Sequence, residues 1–296
     1  MVFPVALPAA LQDFFARNYP PLTHSESLSG MSGSSVYRLT FGNIPVILKT
    51  NLKPQESLFY WSYAPLLREQ GVAIPESYWS GEVDEHYWLV LENIPKPLPH
   101  ERWNADRQVL EMLGRLHRAK LPSPPDLTRL YKPEWTTEIT DNALSLRGTS
   151  SERIAPILRG WEAQYQYLFR PLYPISADPN PNNWGVRSDG SPVLFDWERF
   201  SFGAPAIDVA ILIPGLPNKA AFRHYARRYR EINSSVGQIS YIQEKAIEEF
   251  AEDIKIAKVW VVLEFLYNYT TGQTGISREK IEYLVDRLPG WLESLA

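Results

Sequence analysis

The chain carries Asp178-Pro-Asn-Pro-Asn-Asn-Trp-Gly185 and, a short loop later, Val193-Leu-Phe-Asp-Trp-Glu198. Asp178 is followed, after four intervening residues, by the amide of Asn183, and Asp196 ends an apolar, strand-like run. Carboxylate and amide oxygens in this order hold a metal-bound polyphosphate beside an attacking hydroxyl. The stretch therefore indicates a phosphoryl-transfer site built at the end of a strand.

The composition excludes several classes of function. The chain has 296 residues, of which 44% are apolar, so it suits one large domain or two lobes with a cleft between them. Its formal net charge of -4 lacks the basic excess that binds nucleic acid or an anionic membrane. It contains no cysteine, which excludes disulfides, a thiolate nucleophile and Cys-ligated zinc. We therefore expect a small-molecule partner and no nucleic-acid or membrane partner.

No segment has the pattern of an export signal or a membrane span. Residues 1–10 are apolar, but they lack a basic start and are interrupted by two prolines. The most apolar later run, Val259 to Leu266, is short and contains Glu264. Together with the absence of cysteine, this pattern predicts a cytoplasmic protein.

The first third of the chain has the alternation of a small antiparallel sheet. One helix is predicted over 7–19, and a second over 56–70, where Gly71 stops it. A loop of small residues over 27–35 precedes the first strand. The strands are predicted over 36–41, 44–50, 76–80 and 86–91.

From about Glu92 onward the pattern is mainly helical. Helices are predicted over 105–119, 151–168, 218–232, 239–270 and 277–295, with short strands only over 183–186 and 192–195. The chain is therefore predicted to be an α+β protein with two lobes, residues 1–95 and 96–296. The proline-rich segment Pro95 to Pro99 is the predicted joint.

One lysine stands within an apolar strand. Lys49 follows Val46, Ile47 and Leu48, where a free ammonium is poorly solvated unless an anion meets it. Glu56 lies seven positions later, near the start of a helix, and one helical turn can bring its carboxylate back toward the strand. Taken alone, a strand lysine is usually solvated, and an early helical glutamate usually favours the helix dipole. Their order along the chain favours a paired, functional lysine.

The loop after Ile175 combines rigidity with oxygen ligands. Asp178 precedes a proline, which disfavours helix and holds the carboxylate on an extended or turned loop. Such a carboxylate can orient a substrate hydroxyl or accept its proton, although an Asp-Pro-Asn cluster also forms ordinary turns. Asn183 offers a neutral oxygen and Asp196 a hard anionic one, and both suit Mg²⁺. These groups, downstream of a small-residue loop and a strand lysine, indicate a metal-assisted site.

Taken together, the motifs resemble the aminoglycoside phosphotransferase and choline-kinase-like branch of the protein-kinase fold. That family carries His-Gly-Asp-x-x-x-x-Asn, a later Asp-Trp/Phe-Glu, Gly-x-Pro-x-x-Asp-Leu-Ala and Leu-Gly-x-Leu-His. The matching segments here are Ser176-Ala-Asp-Pro-Asn-Pro-Asn-Asn183, Phe195-Asp-Trp-Glu198, Gly203-Ala-Pro-Ala-Ile-Asp-Val-Ala210 and Leu113-Gly-Arg-Leu-His117. The similarity runs from about Leu22 to the C-terminal helices. It implies a two-lobed fold with a small sheet lobe that binds a nucleotide and a larger helical lobe.

The resemblance also implies a reaction, the transfer of the γ-phosphoryl group of ATP or GTP to a hydroxyl. Asp178 is then the catalytic carboxylate, and Asn183 and Asp196 hold Mg²⁺. Lys49 contacts the α- and β-phosphates while Glu56 positions it. Backbone N–H groups of the small-residue loop cover the phosphates, and a hinge between the lobes meets the base. The expected loop residues are Ser29, Gly30, Ser32, Gly33 and Ser34, and the expected hinge residues are Glu92, Asn93 and Ile94.

Two positions depart from the family pattern. Ser176 replaces the histidine that braces the loop, and a hydroxyl reaches less far than an imidazole. Ala177 replaces glycine, so we expect no left-handed backbone there. His117 lies on an apolar helix and is expected to be packed without a catalytic role. The departures leave a catalytically weak or inactive nucleotide-binding protein, a pseudokinase, as the alternative to an active kinase.

The acceptor is left open among aminoglycosides, choline or ethanolamine, and sugar or amino-acid alcohols. A polycationic acceptor predicts binding by the acids between Glu248 and Asp253, although such a run is usually a solvated helix face. A quaternary ammonium predicts a cage that includes Trp260 or Tyr267, although aromatic residues at this spacing are usually core. The sequence gives neither the acceptor nor the oligomeric state.

Overall fold

The N-terminal part of the chain is an antiparallel sheet with helices packed against it. The computed structural model describes residues 3–28, 34–51, 53–122, 127–146, 151–234, 240–272 and 278–296. In chain order the elements of this part are α1 (Ala9–Asn18), β1 (Leu22–Leu28), β2 (Ser35–Phe41), β3 (Ile44–Asn51), α2 (Gln55–Ser62), α3 (Ala64–Glu69), β4 (Ser77–Val83) and β5 (His86–Glu92). The strands lie in the order β1-β2-β3-β5-β4, and each neighbouring pair is antiparallel.

Strand β3 lies in the middle of this sheet and presents different residues to its two faces. Val46 and Leu48 are fully buried in a cluster with Leu11 and Phe15 of α1. Lys49 points to the opposite face, because successive side chains of a strand alternate. The outer face of the sheet is therefore an apolar core under α1, and the lysine lies on the inner face.

The helix predicted over 56–70 is in fact two helices. α2 ends at Ser62 and α3 begins at Ala64, with Pro65 in its first turn. A proline lacks the backbone N–H and disfavours helical geometry in the residue before it, so the hydrogen-bond ladder breaks there. Gly71, with φ 78°, follows the end of α3, where a glycine stop was predicted.

The rest of the chain is mainly helical, with short strands between the helices. Its elements are β6 (Lys96–Pro97), α4 (Arg107–Arg118), α5 (Thr137–Ser145), α6 (Ser151–Gln164), β7 (Tyr173–Ile175), β8 (Trp184–Val186), β9 (Pro192–Leu194), β10 (Ser201–Gly203), α7 (Pro205–Leu212), α8 (Lys219–Ser234), α9 (Ser240–Gln243), α10 (Ile247–Thr270) and α11 (Arg278–Leu295). β7 pairs with β10, and β8 lies between β6 and β9. The predicted α+β class is confirmed, although α5 and α7 were missed. None of the helices within the described ranges is both long and apolar enough to cross a membrane.

One hydrophobic core continues from the helical part to the inner side of the sheet. Phe59 of α2 stacks on Trp197, with ring centroids 4.4 Å apart and an interplanar angle of 6°. This contact ties the helix that carries Glu56 to the segment that carries Asp196. The division into lobes near Pro95 to Pro99 stays a prediction, and the core itself crosses that point.

Candidate active site

Lys49 is the centre of a three-charge cluster between the sheet and the helical part. Its Nζ lies 2.6 Å from Glu56 Oε2 and 2.7 Å from Asp196 Oδ1. The three residues come from β3, the first turn of α2 and the segment that follows β9. The fold thus brings together three of the residues that the sequence singled out, although up to 147 positions separate them.

The three side chains of this cluster differ in how far they are exposed to solvent. Burial alone would lower the pKa of Lys49, but the charges of Glu56 and Asp196 raise it above its ordinary value. Burial raises the pKa of Glu56, and the charge of Lys49 opposes that rise. Only 8% of the Lys49 side chain and 2% of the Glu56 side chain are exposed. The Asp196 side chain is 32% exposed, so its carboxylate is the member that solvent or a ligand can reach.

Asp178 is held in one orientation by two amides of its own loop. Asn180 Nδ2 donates to Asp178 Oδ1 at 2.8 Å, and Asn183 Nδ2 donates to Asp178 Oδ2 at 3.1 Å. Asn183 Nδ2 also donates to the backbone carbonyl of Asp178 at 2.9 Å. Because the amide nitrogen of Asn183 is used in this way, its carbonyl oxygen is directed away from Asp178.

The two acids at positions 178 and 196 share one electrostatic environment. Burial raises the pKa of Asp178 to about 6. The charge of Arg199 and the hydrogen bonds from Asn180 and Asn183 oppose this rise, while the charge of Asp196 adds to it. A carboxyl with this pKa is mostly ionised at neutral pH and can accept a proton or orient a hydroxyl.

The loop that carries Asp178 is braced by an aspartate of α7. Asp208 is fully buried and accepts hydrogen bonds from the N–H groups of Ser176 at 2.9 Å and Ala177 at 2.8 Å. This brace uses the backbone, so it does not depend on the side chain at position 176. The Ser176 hydroxyl accepts a further hydrogen bond from the N–H of Asp178 at 3.3 Å. The serine therefore still contributes a contact to the loop at the position where the family has histidine.

The expectation that Ala177 needs no left-handed backbone is wrong. Its φ is 55°, in the region that costs a residue with a Cβ about 1 to 2 kcal/mol. Asp196 is also left-handed, with φ 64°. The hydrogen bond from the Ala177 N–H to Asp208 holds the loop in a conformation for which glycine is the usual residue.

His117 extends the brace to two further helices. Its Nε2 lies 3.0 Å from Asp208 Oδ2, and its Nδ1 lies 2.6 Å from the hydroxyl of Tyr229. The three groups are buried and come from α4, α7 and α8. His117 is packed, as predicted, but it is also a positioning residue, since it acts on the loop through Asp208.

A second charged group beside Asp178 has no counterpart in the sequence predictions. Arg199 Nη2 donates to both oxygens of Glu264, at 2.6 and 2.5 Å, and also to the hydroxyl of Tyr131. Its guanidinium lies 4.3 Å from the centre of the Tyr131 ring. Because Glu264 lies 65 residues from Arg199 in the sequence, no local pattern joins them. The sequence feature that could have indicated this contact was Glu264, an acid inside the most apolar run of the chain.

The predicted hinge, Glu92-Asn93-Ile94, consists of the last residue of β5 and the first two residues of its connection to β6. The carboxylate of Glu92 accepts two hydrogen bonds from Arg187, at 2.8 and 2.7 Å. The amide oxygen of Asn93 accepts one from an arginine of β2 at 3.1 Å. Ile94 packs on Gly185, where a Cβ would come within 2.4 Å of Ile94 Cγ2, so only glycine fits. These side chains hold the sheet to the helical part, and a role of the hinge backbone in base binding stays a prediction.

Most of the loop predicted to cover the phosphates lies outside the described residues. This applies to Ser29, Gly30, Ser32 and Gly33, whereas Ser34 is described and is buried. The loop joins β1 to β2, which pair with each other up to Leu28 and Val36. Its contact with phosphates stays a prediction.

The acid run of α10 contains both a buried acid with internal partners and an acid that faces solvent. Asp253 is buried, lies 2.8 Å from Lys245 Nζ and accepts hydrogen bonds from the hydroxyls of Tyr167 and Tyr241. Glu248 lies in the first turn of α10 and is exposed, as on an ordinary solvated helix face. This region therefore gives no support to the predicted polycation site.

The aromatic residues considered for a quaternary ammonium are also engaged elsewhere. Trp260 is fully buried in the core, and its indole N–H donates to the carbonyl of Glu134 at 3.0 Å. The hydroxyl of Tyr267 donates to Glu138 at 2.8 Å. Neither the acid run nor these aromatics identifies the acceptor.

Comparison with known proteins agrees with the motifs. A model of the phosphotransferase enzyme family, APH, matches residues 26–235. The chain belongs to this family. The predicted resemblance is confirmed, and the protein is a phosphotransferase. No curated protein sequence matches this phosphotransferase.

Solved structures share the fold of this phosphotransferase over nearly the whole chain. Aminoglycoside phosphotransferase APH(4)-Ia aligns with a TM-score of 0.58 at 13% identity, covering 97% of this chain and 99% of that one. Spectinomycin phosphotransferase APH(9)-Ia, in complex with ADP and spectinomycin, aligns with a TM-score of 0.61 at 11% identity, covering 99% and 98%. Choline kinase LicA from Streptococcus pneumoniae aligns with a TM-score of 0.62 at 16% identity, covering 96% and 98%. At these identities the likeness shows the fold alone.

Proposed function

We propose that this phosphotransferase transfers the γ-phosphoryl group of ATP to a hydroxyl of a small molecule. In this proposal Asp178 faces the hydroxyl, Lys49 meets the α- and β-phosphates, and Asn183 and Asp196 bind Mg²⁺. The observation that carries the proposal is the position of Lys49 Nζ, within 2.7 Å of both Glu56 and Asp196. A buried ammonium held in this way beside a partly exposed carboxylate suits a polyphosphate and its cation.

The expected metal ligands fit a cation that arrives with a nucleotide. The described residues hold no cluster of three or more His, Cys, Asp or Glu suited to a resident metal. Asn183 and Asp196 offer one amide oxygen and one carboxylate, and Mg²⁺ is usually bound by one or two protein groups together with phosphates and water. The second carboxylate oxygen of Asp196 is not used by Lys49. When bound, Mg²⁺ neutralises charge on the phosphates.

Complexes of two structural relatives contain adenine nucleotides, which supports ATP as the proposed donor. APH(9)-Ia was solved with ADP, and variants of APH(4)-Ia were solved with ADP or AMP-PNP together with hygromycin B. Nothing in these comparisons supports GTP. The relatives named for an aminoglycoside, for spectinomycin and for choline also support a hydroxylated small molecule as acceptor, without identifying it.

The residues of the chain can perform the transfer mainly by positioning. Asn180 and Asn183 fix the carboxylate of Asp178 in one orientation, so a hydroxyl that meets it is aligned for attack. Asp178 then accepts the hydroxyl proton as the hydroxyl oxygen bonds to the γ-phosphorus, while the bond from that phosphorus to the bridging oxygen breaks and ADP leaves. Lys49 neutralises charge on the phosphates of the donor, and Glu56 keeps its ammonium in place.

The brace from Asp208 supports an active kinase over a pseudokinase. The departures at Ser176 and Ala177 motivate the inactive alternative, yet both positions donate their backbone N–H groups to Asp208. The loop is therefore positioned without a histidine side chain. A pseudokinase remains the second candidate, because Ser176 offers only a weak contact at 3.3 Å to the N–H of Asp178.

The deciding experiment is a screen of hydroxylated acceptors with Mg²⁺ and ATP, read by mass shift, on the wild type and Asp178→Asn. We expect Asp178→Asn to lower kcat by about 10² to 10⁴, because it removes the base, while the affinity for ATP stays similar. Asp189→Asn is the matched control, since Asp189 lies on an exposed turn and its loss should not change turnover. Equal turnover in Asp178→Asn rejects the role of Asp178, and ATP binding without transfer across the panel favours the pseudokinase.

A further inference from the structure

Arg199 and Asp178 leave the same end of a two-stranded sheet. β10 begins at Ser201, β7 ends at Ile175, and these two residues are direct antiparallel partners. Arg199 lies two residues before Ser201, and Asp178 lies three residues after Ile175. Because the strands run in opposite directions, both residues follow the pairing out at the same end. Burial raises the pKa of Asp178, and the charge of Arg199 is the largest of the influences that lower it, in agreement with this placement.

The group around Arg199 lies on the helical side of Asp178. Its partners are Tyr131, from the segment before α5, and Glu264 of α10. None of these three residues comes from the N-terminal sheet, which carries Lys49 and with it the side of the site proposed for the nucleotide. Arg199 therefore adjoins Asp178 on the side that is left for the acceptor.

The pair of Arg199 and Glu264 exposes its cation more than its anion. Nη2 of Arg199 donates to both oxygens of Glu264 and to the hydroxyl of Tyr131. Within the described part of the chain Nη1 makes no hydrogen bond, and unlike Nε it is not a buried atom. The Arg199 side chain is 24% exposed and the Glu264 side chain 13%. A ligand beside Asp178 thus meets guanidinium N–H donors, while both oxygens of Glu264 already accept a hydrogen bond.

A guanidinium at this place selects among the acceptor classes that the sequence left open. With a carboxylate it forms a charge-assisted hydrogen bond, which is roughly twice as strong as a neutral one. A cationic group there meets a like charge, and the nearby carboxylate of Glu264 is already paired. Aminoglycosides and choline are cations, whereas an amino acid with a hydroxyl group and a sugar acid both carry a carboxylate.

We propose that the acceptor of this phosphotransferase is a hydroxy acid, whose carboxylate binds Arg199 Nη1 while its hydroxyl meets Asp178. The inference rests on the proposed transfer to a hydroxyl and names the class of acceptor. Arg199 is then the residue that determines acceptor specificity, and Glu264 and Tyr131 position its guanidinium by holding Nη2. A second point of attachment also orients the hydroxyl for attack.

Two matched pairs of probes differ by one carboxylate. L-Serine is ethanolamine with a carboxylate added, and D-glucuronate is D-glucose with its terminal CH₂OH group oxidised to a carboxylate. Binding is measured by ligand-observed NMR with AMP-PNP and Mg²⁺, and transfer by mass shift with ATP and Mg²⁺. We expect the carboxylate member of at least one pair to bind about 10-fold or more tightly than its partner. The pair that shows this difference distinguishes a hydroxy amino acid from a sugar acid.

The double variant Arg199→Gln/Glu264→Gln removes both charges and leaves no unpaired acid behind. We expect the affinity ratio within the responding pair to fall to about 1, while the partner without a carboxylate binds within about twofold of the wild type. Arg199→Lys keeps the cation and should keep a reduced preference for the carboxylate. Arg107→Gln/Glu111→Gln is the matched control, because it removes an Arg–Glu pair of 2.7 Å on the surface of α4 and should leave the ratio unchanged. A purely structural role for Arg199 would lower Tm without changing this ratio.

Equal binding within both pairs, or tighter binding of ethanolamine and D-glucose, overturns the inference. So does failure of both carboxylate probes to bind up to their solubility limits, and so does a double variant that keeps the wild-type ratio. The comparison within each pair needs no substitution, so it decides the question even where a variant does not fold. Carboxylate-dependent binding without transfer supports the acceptor class and contradicts the proposed reaction. Transfer to other alcohols without a preference for the carboxylate does the reverse.

Discussion

Two places in this phosphotransferase hold a lysine ammonium among acids, and they differ in what is left for a ligand. One is the open cluster, formed by Lys49, Glu56 and Asp196 between the sheet and the helical part, together with the adjoining loop of residues 176–183 that carries Asp178. The other is the closed cluster at the start of α10, formed by Lys245, Asp253, Tyr167 and Tyr241. Both contain acids that the sequence analysis singled out, and of the two ion pairs only the one in the first cluster leaves its carboxylate, that of Asp196, partly exposed.

In the closed cluster the carboxylate, the ammonium and both tyrosine hydroxyls are engaged with one another by hydrogen bonds or an ion pair. The Asp253 side chain is 2% exposed and pairs with Lys245 at 2.8 Å. Both tyrosine hydroxyls donate to the same carboxylate, and Lys245 Nζ lies 5.0 Å from the centre of the Tyr167 ring and 5.1 Å from that of Tyr241. The ammonium of the chain itself thus fills an aromatic and acidic site that could otherwise suit a cationic acceptor.

In the open cluster one oxygen of Asp196 binds Lys49, while its side chain remains 32% exposed. Asp178 is held by amides that donate to it, and no lysine ammonium neutralises it among its described hydrogen bonds. The comparison teaches that the count of acids in a segment does not predict a binding site. A better indicator of a binding site is charge on a carboxylate that internal hydrogen bonds and ion pairs leave unpaired.

The largest expected contrast compares Lys49→Met with Lys245→Met. Lys49→Met should lower kcat/KM by about 10² to 10³, because it removes the cation that meets the phosphates. Lys245→Met should leave the activity of the folded protein unchanged and lower its Tm, because Asp253 loses its counter-charge in the interior. The measurements are steady-state kinetics with the acceptor found in the screen and thermal unfolding of both variants.

The same pair of variants can also disprove the distinction between the open and the closed cluster. A loss of acceptor affinity in Lys245→Met at normal ATP affinity would show that the closed cluster belongs to the acceptor site. Lys120→Met serves as the control, since Lys120 is exposed and lies in neither cluster.

A second contrast separates positioning from binding in the open cluster. Asp208→Asn should lower kcat by about 10-fold to 100-fold with little change in the KM for ATP, because the amide places a donor against the backbone N–H groups of Ser176 and Ala177. Tyr229→Phe removes only the hydroxyl that meets His117, so its effect on kcat should have the same direction and be smaller. A purely structural role for Asp208 would lower Tm and leave the kcat of the folded fraction intact.

The open cluster was largely predictable because its charged and amide residues lie in short sequence motifs. Asp178 and Asn183 are joined by a hydrogen bond within one loop, so their spacing alone brought them together. Lys49 and Asp196 each end or interrupt an apolar strand, where a charge demands a partner. A tertiary contact between them could be expected only from the family resemblance.

The remaining parts of the site depend on contacts that no local pattern carries. Arg199 meets Glu264 across 65 residues, and His117 meets Asp208 across 91. The left-handed backbone of Ala177 was predicted wrongly. The conformational preference of alanine is overridden there by two hydrogen bonds that backbone N–H groups of the loop donate to the buried carboxylate of Asp208. Helix breaks such as the one before Pro65 were missed because the apolar spacing continues through them.

A buried lysine outside both clusters, Lys258, allows a related test through the pH dependence of stability. Lys258 donates to the carbonyl of Ile213 at 2.5 Å and has no carboxylate partner among the described residues. Burial lowers its pKa to about 8, from an ordinary value of 10.5. Between these pH values the unfolded chain binds a proton that the folded chain does not, so raising the pH stabilises the folded state.

The test is the free energy of unfolding in urea between pH 7 and 10 for the wild type and Lys258→Met. The difference between the two proteins should be flat below pH 8 and should move in favour of the wild type above it, by about 3 kcal/mol at most. Parallel curves over the whole range would mean that the Lys258 ammonium is stabilised in the fold as well as in water. Lys49, with two carboxylates, should show no such change in this pH window.

The smallest expected effect concerns backbone strain, which the open cluster has and the described part of the closed cluster lacks. Ala177→Gly removes a left-handed strain of about 1 to 2 kcal/mol, which offsets the entropy that glycine adds to the unfolded chain. Ala143→Gly, at a buried position inside α5, relieves no strain and should cost about 1 kcal/mol or more. Urea unfolding of both variants should therefore show Ala177→Gly to be the less destabilising by about 1 kcal/mol or more. Equal losses would mean that the hydrogen bonds to Asp208 accommodate the alanine without strain, and glycine in the family pattern would then need another reason than backbone geometry.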